Sequence, residues 1–145
     1  MSAVGRIQTL LGGEANTGPL HSERDVMRLV RRGLPTQAVD HFLRASRLTF
    51  SALDPQILNR RTFKRRQDAA QPLDPAESDR IVRVVSVVAA AEETFADPDK
   101  AHAWLTRENR ALDGETPLAM TDTDQGARAV EALPGPGLLW RLLRY

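Results

Sequence analysis

The stretch from Asp74 to Phe95 constrains the fold of this chain more than any other. It opens Asp74-Pro75-Ala76-Glu77: an acidic cap, a proline suited to the first helical position, and a glutamate placed to close a capping box. Ile81, Val82, Val84, Val85, Val87 and Val88 follow, then a run of alanines. Its one clear polar stripe is Arg80, Arg83, Ser86 and, after Ala90, Glu93. A helix apolar over most of its circumference is buried on most sides, which predicts the central helix of the second half of the chain. Valine has only moderate helix propensity, so tertiary packing must hold this helix.

Helical spacing dominates elsewhere too, and strand-like alternation is scarce, so the fold class is all-α. Ser22 is placed to cap a helix carrying Val26, Leu29 and Val30, which Gly33 stops. A second helix follows Pro35, with Ala38, Val39, Phe42 and Leu43 as its apolar stripe. In residues 47–58, Leu48, Phe50, Leu53, Ile57 and Leu58 supply core, while Pro55 forbids a long continuous helix. Asn59 is a cap for the next helix. Asp97-Pro98 starts another helix that turns Ala101, Trp104 and Leu105 inward. Thr116-Pro117 begins a short one, and Asp122 or Thr123 caps a last one carrying Ala127, Val130 and Leu133. Near the start, Ile7, Leu10 and Leu11 form a short apolar patch before GGEANTGP, whose glycines and proline predict a loop.

The chain has 145 residues, enough for one ordinary domain or two small modules sharing a core. It has no cysteine, which excludes disulfides and thiolate chemistry and fits a reducing, cytoplasmic setting. No apolar run approaches the ~20 residues of a membrane span, and the N-terminal apolar stretch is too short for a signal peptide. Net charge is +1, but residues 1–66 hold 12 basic and 5 acidic side chains, and residues 67–145 hold 8 basic and 14 acidic. This asymmetry points to an anionic partner for the first half and a different partner for the second. His21, His41 and His102 lack metal-ligand spacing, and nothing pairs a nucleophile with a base, so neither a metal site nor a catalytic site is expected.

Two segments carry candidate binding chemistry. In RRTFKRR, residues 60–66, Arg60, Lys64, Arg61 and Arg65 fall within an arc of about 140° on a helix, with Phe63 off that arc. One side is cationic and the other can anchor, as in the reading helix of a helix-turn-helix. The same pattern also suits a solvated surface helix or one paired with the acidic second half. The second segment follows the break Pro134-Gly135-Pro136-Gly137. Leu138, Leu139, Trp140, Arg141, Leu142, Leu143, Arg144 and Tyr145 form an apolar tail with two charges. An unburied apolar tail is an aggregation hazard, so it has to be covered by a foreign partner, by its own core or by a second copy.

The order of these pieces resembles the Xre/ParS/MbcA-type antitoxins of toxin–antitoxin pairs with RES-domain toxins. Arg61-Thr62-Phe63 with Arg65-Arg66 resembles the family's R-T-(apolar)-x-R-R stretch, and Leu73 to Arg80 resembles its L-S-P-x-E-S-D-R signature. Phe95, Asp97, Trp104-Leu105, Asn109, Leu112, Gly114, Pro117-Leu118, Thr123, Gly126-Ala127 and Val130 match its toxin-binding domain in order. The resemblance implies a non-enzymatic protein without a cofactor. Residues 1–72 would be an Xre-like helical DNA-binding module used for autoregulation. Residues 73–145 would be a toxin-binding domain whose tail obstructs the NAD pocket of a NAD-consuming or ADP-ribosylating toxin. The family's usual tail, with a glycine and then an aromatic residue, is replaced here by GPGLLWRLLRY, and Pro55 falls where a regular helix-turn-helix places its first helix. The competing reading is a stand-alone helix-turn-helix regulator whose tail mediates dimerisation. A homodimer or a larger assembly with toxin stays open.

Overall fold

A computed structural model of the chain describes residues 2–133. Within them there are eight α-helices and no strand: α1 (Ala3–Leu10), α2 (Glu14–Thr17), α3 (Glu23–Arg32), α4 (Thr36–Ser46), α5 (Arg60–Asp68), α6 (Pro75–Phe95), α7 (Pro98–Leu105) and α8 (Asp124–Glu131). The all-α reading of the sequence therefore holds. None of these helices is long and apolar enough to cross a membrane.

The long valine-rich helix is the axis of the fold. Helices α1, α3, α4, α7 and α8 all pack on α6. Ile81, Val84 and Val85 are fully buried, and Val82, Val87 and Val88 nearly so. Its start has the geometry the sequence predicts. Asp74 Oδ1 accepts from the Glu77 backbone N–H at 2.7 Å, and Glu77 Oε1 accepts from the Asp74 N–H at 2.9 Å. The polar stripe is used for ties. Arg80 Nε donates to the Ile57 carbonyl at 2.8 Å, Arg83 pairs with Asp79 at 2.6 Å, and Glu93 lies 3.8 Å from Arg6.

The caps read from sequence are in place. Ser22, Asn59, Asp97 and Thr123 each accept from backbone N–H groups in the first turn of the helix that follows. Residues 47–59 contain a 3-10 turn at Phe50–Ala52 and further turns but no α-helix, consistent with Pro55. After Thr116-Pro117 the chain makes a 3-10 turn, Ala119–Asp122, rather than an α-helix. The N-terminal twenty residues are more ordered than their glycines suggest. Ser2 caps α1, whose Ile7 and Leu10 are buried. Helix α2 is a single turn between Gly13 at φ 85° and Gly18 at φ 72°, with buried Thr17. Gln8 Nε2 donates to Thr17 Oγ1 at 3.2 Å and to the Gly18 carbonyl at 2.9 Å, holding that turn against α1. Residues far apart in sequence thus stabilise a segment that is locally loop-like.

The turn between α3 and α4 locks onto the start of α6. Leu34 N–H donates to Ser78 Oγ at 2.9 Å, and Leu73 N–H donates to the Leu34 carbonyl at 2.8 Å. Gly33 sits at φ 98°, and a Cβ there would lie 2.4 Å from the Leu73 carbonyl oxygen. Both the left-handed backbone and the close approach demand glycine. Gly33→Ala is expected to cost about 2 kcal/mol or more of stability, read as a lower urea midpoint at unchanged slope.

Glu92 is half-buried beside α1, and burial raises its carboxyl above the ordinary value against the weaker opposing pull of Arg6. A carboxyl raised in the folded state binds protons better folded than unfolded, so stability falls as pH climbs from the unfolded value through the folded one. Glu92→Gln is expected to raise the melting temperature at pH 7 by an amount worth less than about 1 kcal/mol. That gain should disappear at ~pH 3, well below the ordinary glutamate value, where the parent carboxyl is protonated in both states; a gain of equal size at both pH values would contradict the assignment.

Candidate nucleic-acid interface and toxin-binding domain

Helix α5 begins because Asn59 Oδ1 accepts from the Arg61 and Thr62 N–H groups, while Asp54 Oδ1 accepts from the Arg60 N–H at 2.9 Å. Phe63 is the anchor: it is buried and tilts at 40° against Phe50, with ring centroids 5.1 Å apart. Gln67 Nε2 donates to Asp40 Oδ2 on α4 at 3.0 Å. The far end is held by Arg66, whose Nε donates to Glu77 Oε1 at 2.8 Å and whose Nη2 lies 3.4 Å from Asp74 Oδ2. The Glu77 carboxylate keeps Arg66 firmly charged. Arg66 therefore belongs to the joint between α5 and α6, not to the open face.

The other four cations line one broad concavity of ≈ 1080 Å³ together with Asp54, Asn59, Asp68 and Ala69. They are not equivalent. The Arg60 guanidinium stacks 5.0 Å above the Phe50 ring and donates to Ser51 Oγ at 3.0 Å. Lys64 pairs with Asp68 at 3.2 Å, a fully solvated i,i+4 contact. The Arg61 and Arg65 side chains are exposed, and neither guanidinium has a salt-bridge partner among the described residues. Spacing on a helical wheel groups the four; only the neighbouring Phe50, Ser51 and Asp68 separate engaged cations from unengaged ones. Arg66→Ala should cost about 1–3 kcal/mol because it strips a partner from buried Glu77. Arg61→Ala with Arg65→Ala should change stability by no more than about 0.5 kcal/mol. Thermal melts of the two variants test that division.

In the C-terminal part, α7 and α8 flank α6. Trp104 and Leu105 are buried, and Phe95 and Trp104 meet with centroids 5.8 Å apart. Leu118 N–H donates to the Leu105 carbonyl at 3.0 Å, drawing the 110–122 segment onto α7. Asn109 Oδ1 caps the turn at Arg110–Leu112, and Gly126 packs so tightly that a Cβ would lie 1.8 Å from the Met120 carbonyl oxygen. The matched pattern of residues 95–130 is thus mainly caps and core. The tail residues Leu138, Leu139, Trp140, Arg141, Leu142, Leu143, Arg144 and Tyr145 lie outside the described residues. Among the described residues no group of three or more His, Asp or Glu side chains is placed to hold a metal ion.

Comparison with known proteins matches this order of parts. Residues 25–86, from α3 into the first half of α6, match the antitoxin Xre-like helix-turn-helix domain. Residues 90–133 match the antitoxin Xre/MbcA/ParS C-terminal toxin-binding domain. The chain is also similar to the antitoxin Xre of Pseudomonas putida, at 40% identity over 78 residues, covering 54% of this chain and 49% of that protein. The match thus spans about half the length of that curated relative. With one domain following the other along a shared central helix, the chain joins a match to the antitoxin Xre-like helix-turn-helix domain to a match to the antitoxin Xre/MbcA/ParS C-terminal toxin-binding domain.

Proposed function

We propose that this protein is an antitoxin that binds operator DNA through α5 and restrains a RES-type, NAD-consuming or ADP-ribosylating toxin through its C-terminal part. The residues that contact nucleic acid lie within 1–72 and those that contact toxin within 73–145, with no catalytic role for either. The observation that carries the first part is the pair of exposed, unpaired guanidiniums of Arg61 and Arg65 on a rigidly anchored helix over an open concavity. Arg60 and Lys64 add charge to the same face: Arg60 is held in place by its stack on Phe50, and a phosphate can recruit Lys64 away from exposed Asp68. The toxin part is supported by the matched C-terminal domain and by the chemistry of the tail. Trp140 and Tyr145 would fill pockets, and Arg141 and Arg144 would meet groups at the NAD site.

Operator binding by the Arg61→Ala, Arg65→Ala variant should be weaker and less salt-dependent. Each lost phosphate contact lowers the slope of log K against log salt by about 0.9. A gel-shift titration with unchanged affinity and slope would remove α5 as the reader. Truncation after Pro136 should abolish protection in a growth assay with the adjacently encoded toxin, while the two-arginine variant should still protect. Full protection by the truncated chain would remove the tail as the inhibiting element, whereas failure of the full-length chain to protect would favour the stand-alone regulator, with the tail as a dimerisation element.

A further inference from the structure

Helix α8 runs along α6 in the same direction: Asp124 and Ala127 lie by Asp79 and Val82, while Val130 and Glu131 lie by Val87, Ala91 and Thr94. The last described residue, Leu133, therefore leaves the molecule beside the C-terminal half of α6. Two depressions meet there, both bordered by Ala90 and Glu131. One is apolar, ≈ 60 Å³, between Val87, Phe95, Trp104 and Val130. The other, ≈ 350 Å³, is floored by Ile7 and Ala89 and rimmed by Glu23, Glu93 and Glu131 against a single cation, Arg6. Together they make a greasy groove with an acidic edge across the outer side of α6.

We propose that this groove receives the chain's own residues 138–144 when no toxin is bound, so that the antitoxin stores its tail in cis. Three features select this occupant. Residues 134–145 begin at the groove, and twelve residues reach ~40 Å when extended. The groove between Ser86 and Phe95 is only ~14 Å long, so the Pro-Gly break can turn the chain back with length to spare. The tail's composition mirrors the groove: Leu138, Leu139 and Trp140 are apolar, and Arg141 and Arg144 are its only charged side chains. Both are cationic where the groove's rim is acidic. Storage also answers the hazard of leaving six large apolar residues in water before toxin is met. This rests on the reading that the tail acts on toxin. It adds that toxin must compete with α6 for the tail, so the apparent affinity is the intrinsic affinity multiplied by the fraction of tail already released.

The chain has no cysteine, so engineered pairs report cleanly. In the full-length free protein, Ala90→Cys with Leu139→Cys should form an intramolecular disulfide at least tenfold faster than a control pair, Ala69→Cys just after α5 with Leu139→Cys. Equal rates, or a product linking two chains, would overturn cis storage. A second measurement needs no disulfide: Ala90→Trp, on an exposed position, should speed tryptic cleavage after Arg141 several-fold relative to the parent, read by mass. Unchanged cleavage would overturn the proposal as well. Neither measurement includes toxin, so failure here leaves the growth-assay result for truncation after Pro136 standing on its own, and the reverse also holds.

Discussion

The Glu77 carboxylate is where this molecule is tied together. It closes the capping box of α6, accepts from Arg66 of α5, and lies one residue before Ser78, whose hydroxyl receives the Leu34 N–H from the α3–α4 turn. Glu77 and Ser78 are both buried. A buried carboxylate is tolerated only when its charge and lone pairs are met, and here a backbone N–H and a guanidinium meet them. One helix start therefore fixes the position of the cationic helix and the entry of the central helix together. Losing that joint would leave α5 held by Phe63, the Gln67–Asp40 contact and the ties of its first turn to Phe50, Ser51 and Asp54.

That joint also explains why the two family domains meet inside a helix rather than in a linker. The helix-turn-helix match ends at residue 86 and the toxin-binding match begins at residue 90, both within α6. Val82, Val84 and Val85 face neighbours before that point, and Val87, Val88 and Ala91 face neighbours after it. A helix covered along 21 residues by partners from both sides cannot be cut without exposing apolar surface to water. The two parts thus share one core, and a displacement of α6 would be felt by both α3 and α8.

Much of this was legible in the sequence, for identifiable physical reasons. Caps and breakers act locally, so Ser22, Asn59, Asp74-Pro75 and Asp97-Pro98 announce their helices directly. The valine face of α6 repeats at helical spacing, and burial follows from it. The failures are equally specific. Helix α2 is held by the side-chain bond between Gln8 and Thr17, a specific pairing that the loop-favouring glycines around it do not announce. The stretch after Thr116-Pro117 keeps only a 3-10 turn because Leu118 is drawn onto the Leu105 carbonyl. On the cationic helix, periodicity assigned four residues to one face but could not tell that Phe50 and Ser51 occupy Arg60 and that Asp68 occupies Lys64.

On the proposed reading of α5 as the DNA contact, the difference among those four cations has a physical consequence for recognition. An arginine stacked on an aromatic ring is held in few rotamers, so it loses little entropy on meeting a phosphate whose position it already suits. Arg60 is held in that way and stands at the first turn of α5, where the helix N-terminus also favours anions. Arg61 and Arg65 keep their rotamer freedom and their full hydration, so they pay more to bind but can adapt to base edges or backbone. One rigid and two adaptable guanidiniums on a single anchored helix divide orientation from adjustment. Phosphate contact at Arg60 would set the register of α5 on a duplex, and Arg61 and Arg65 would then search a restricted set of positions around it.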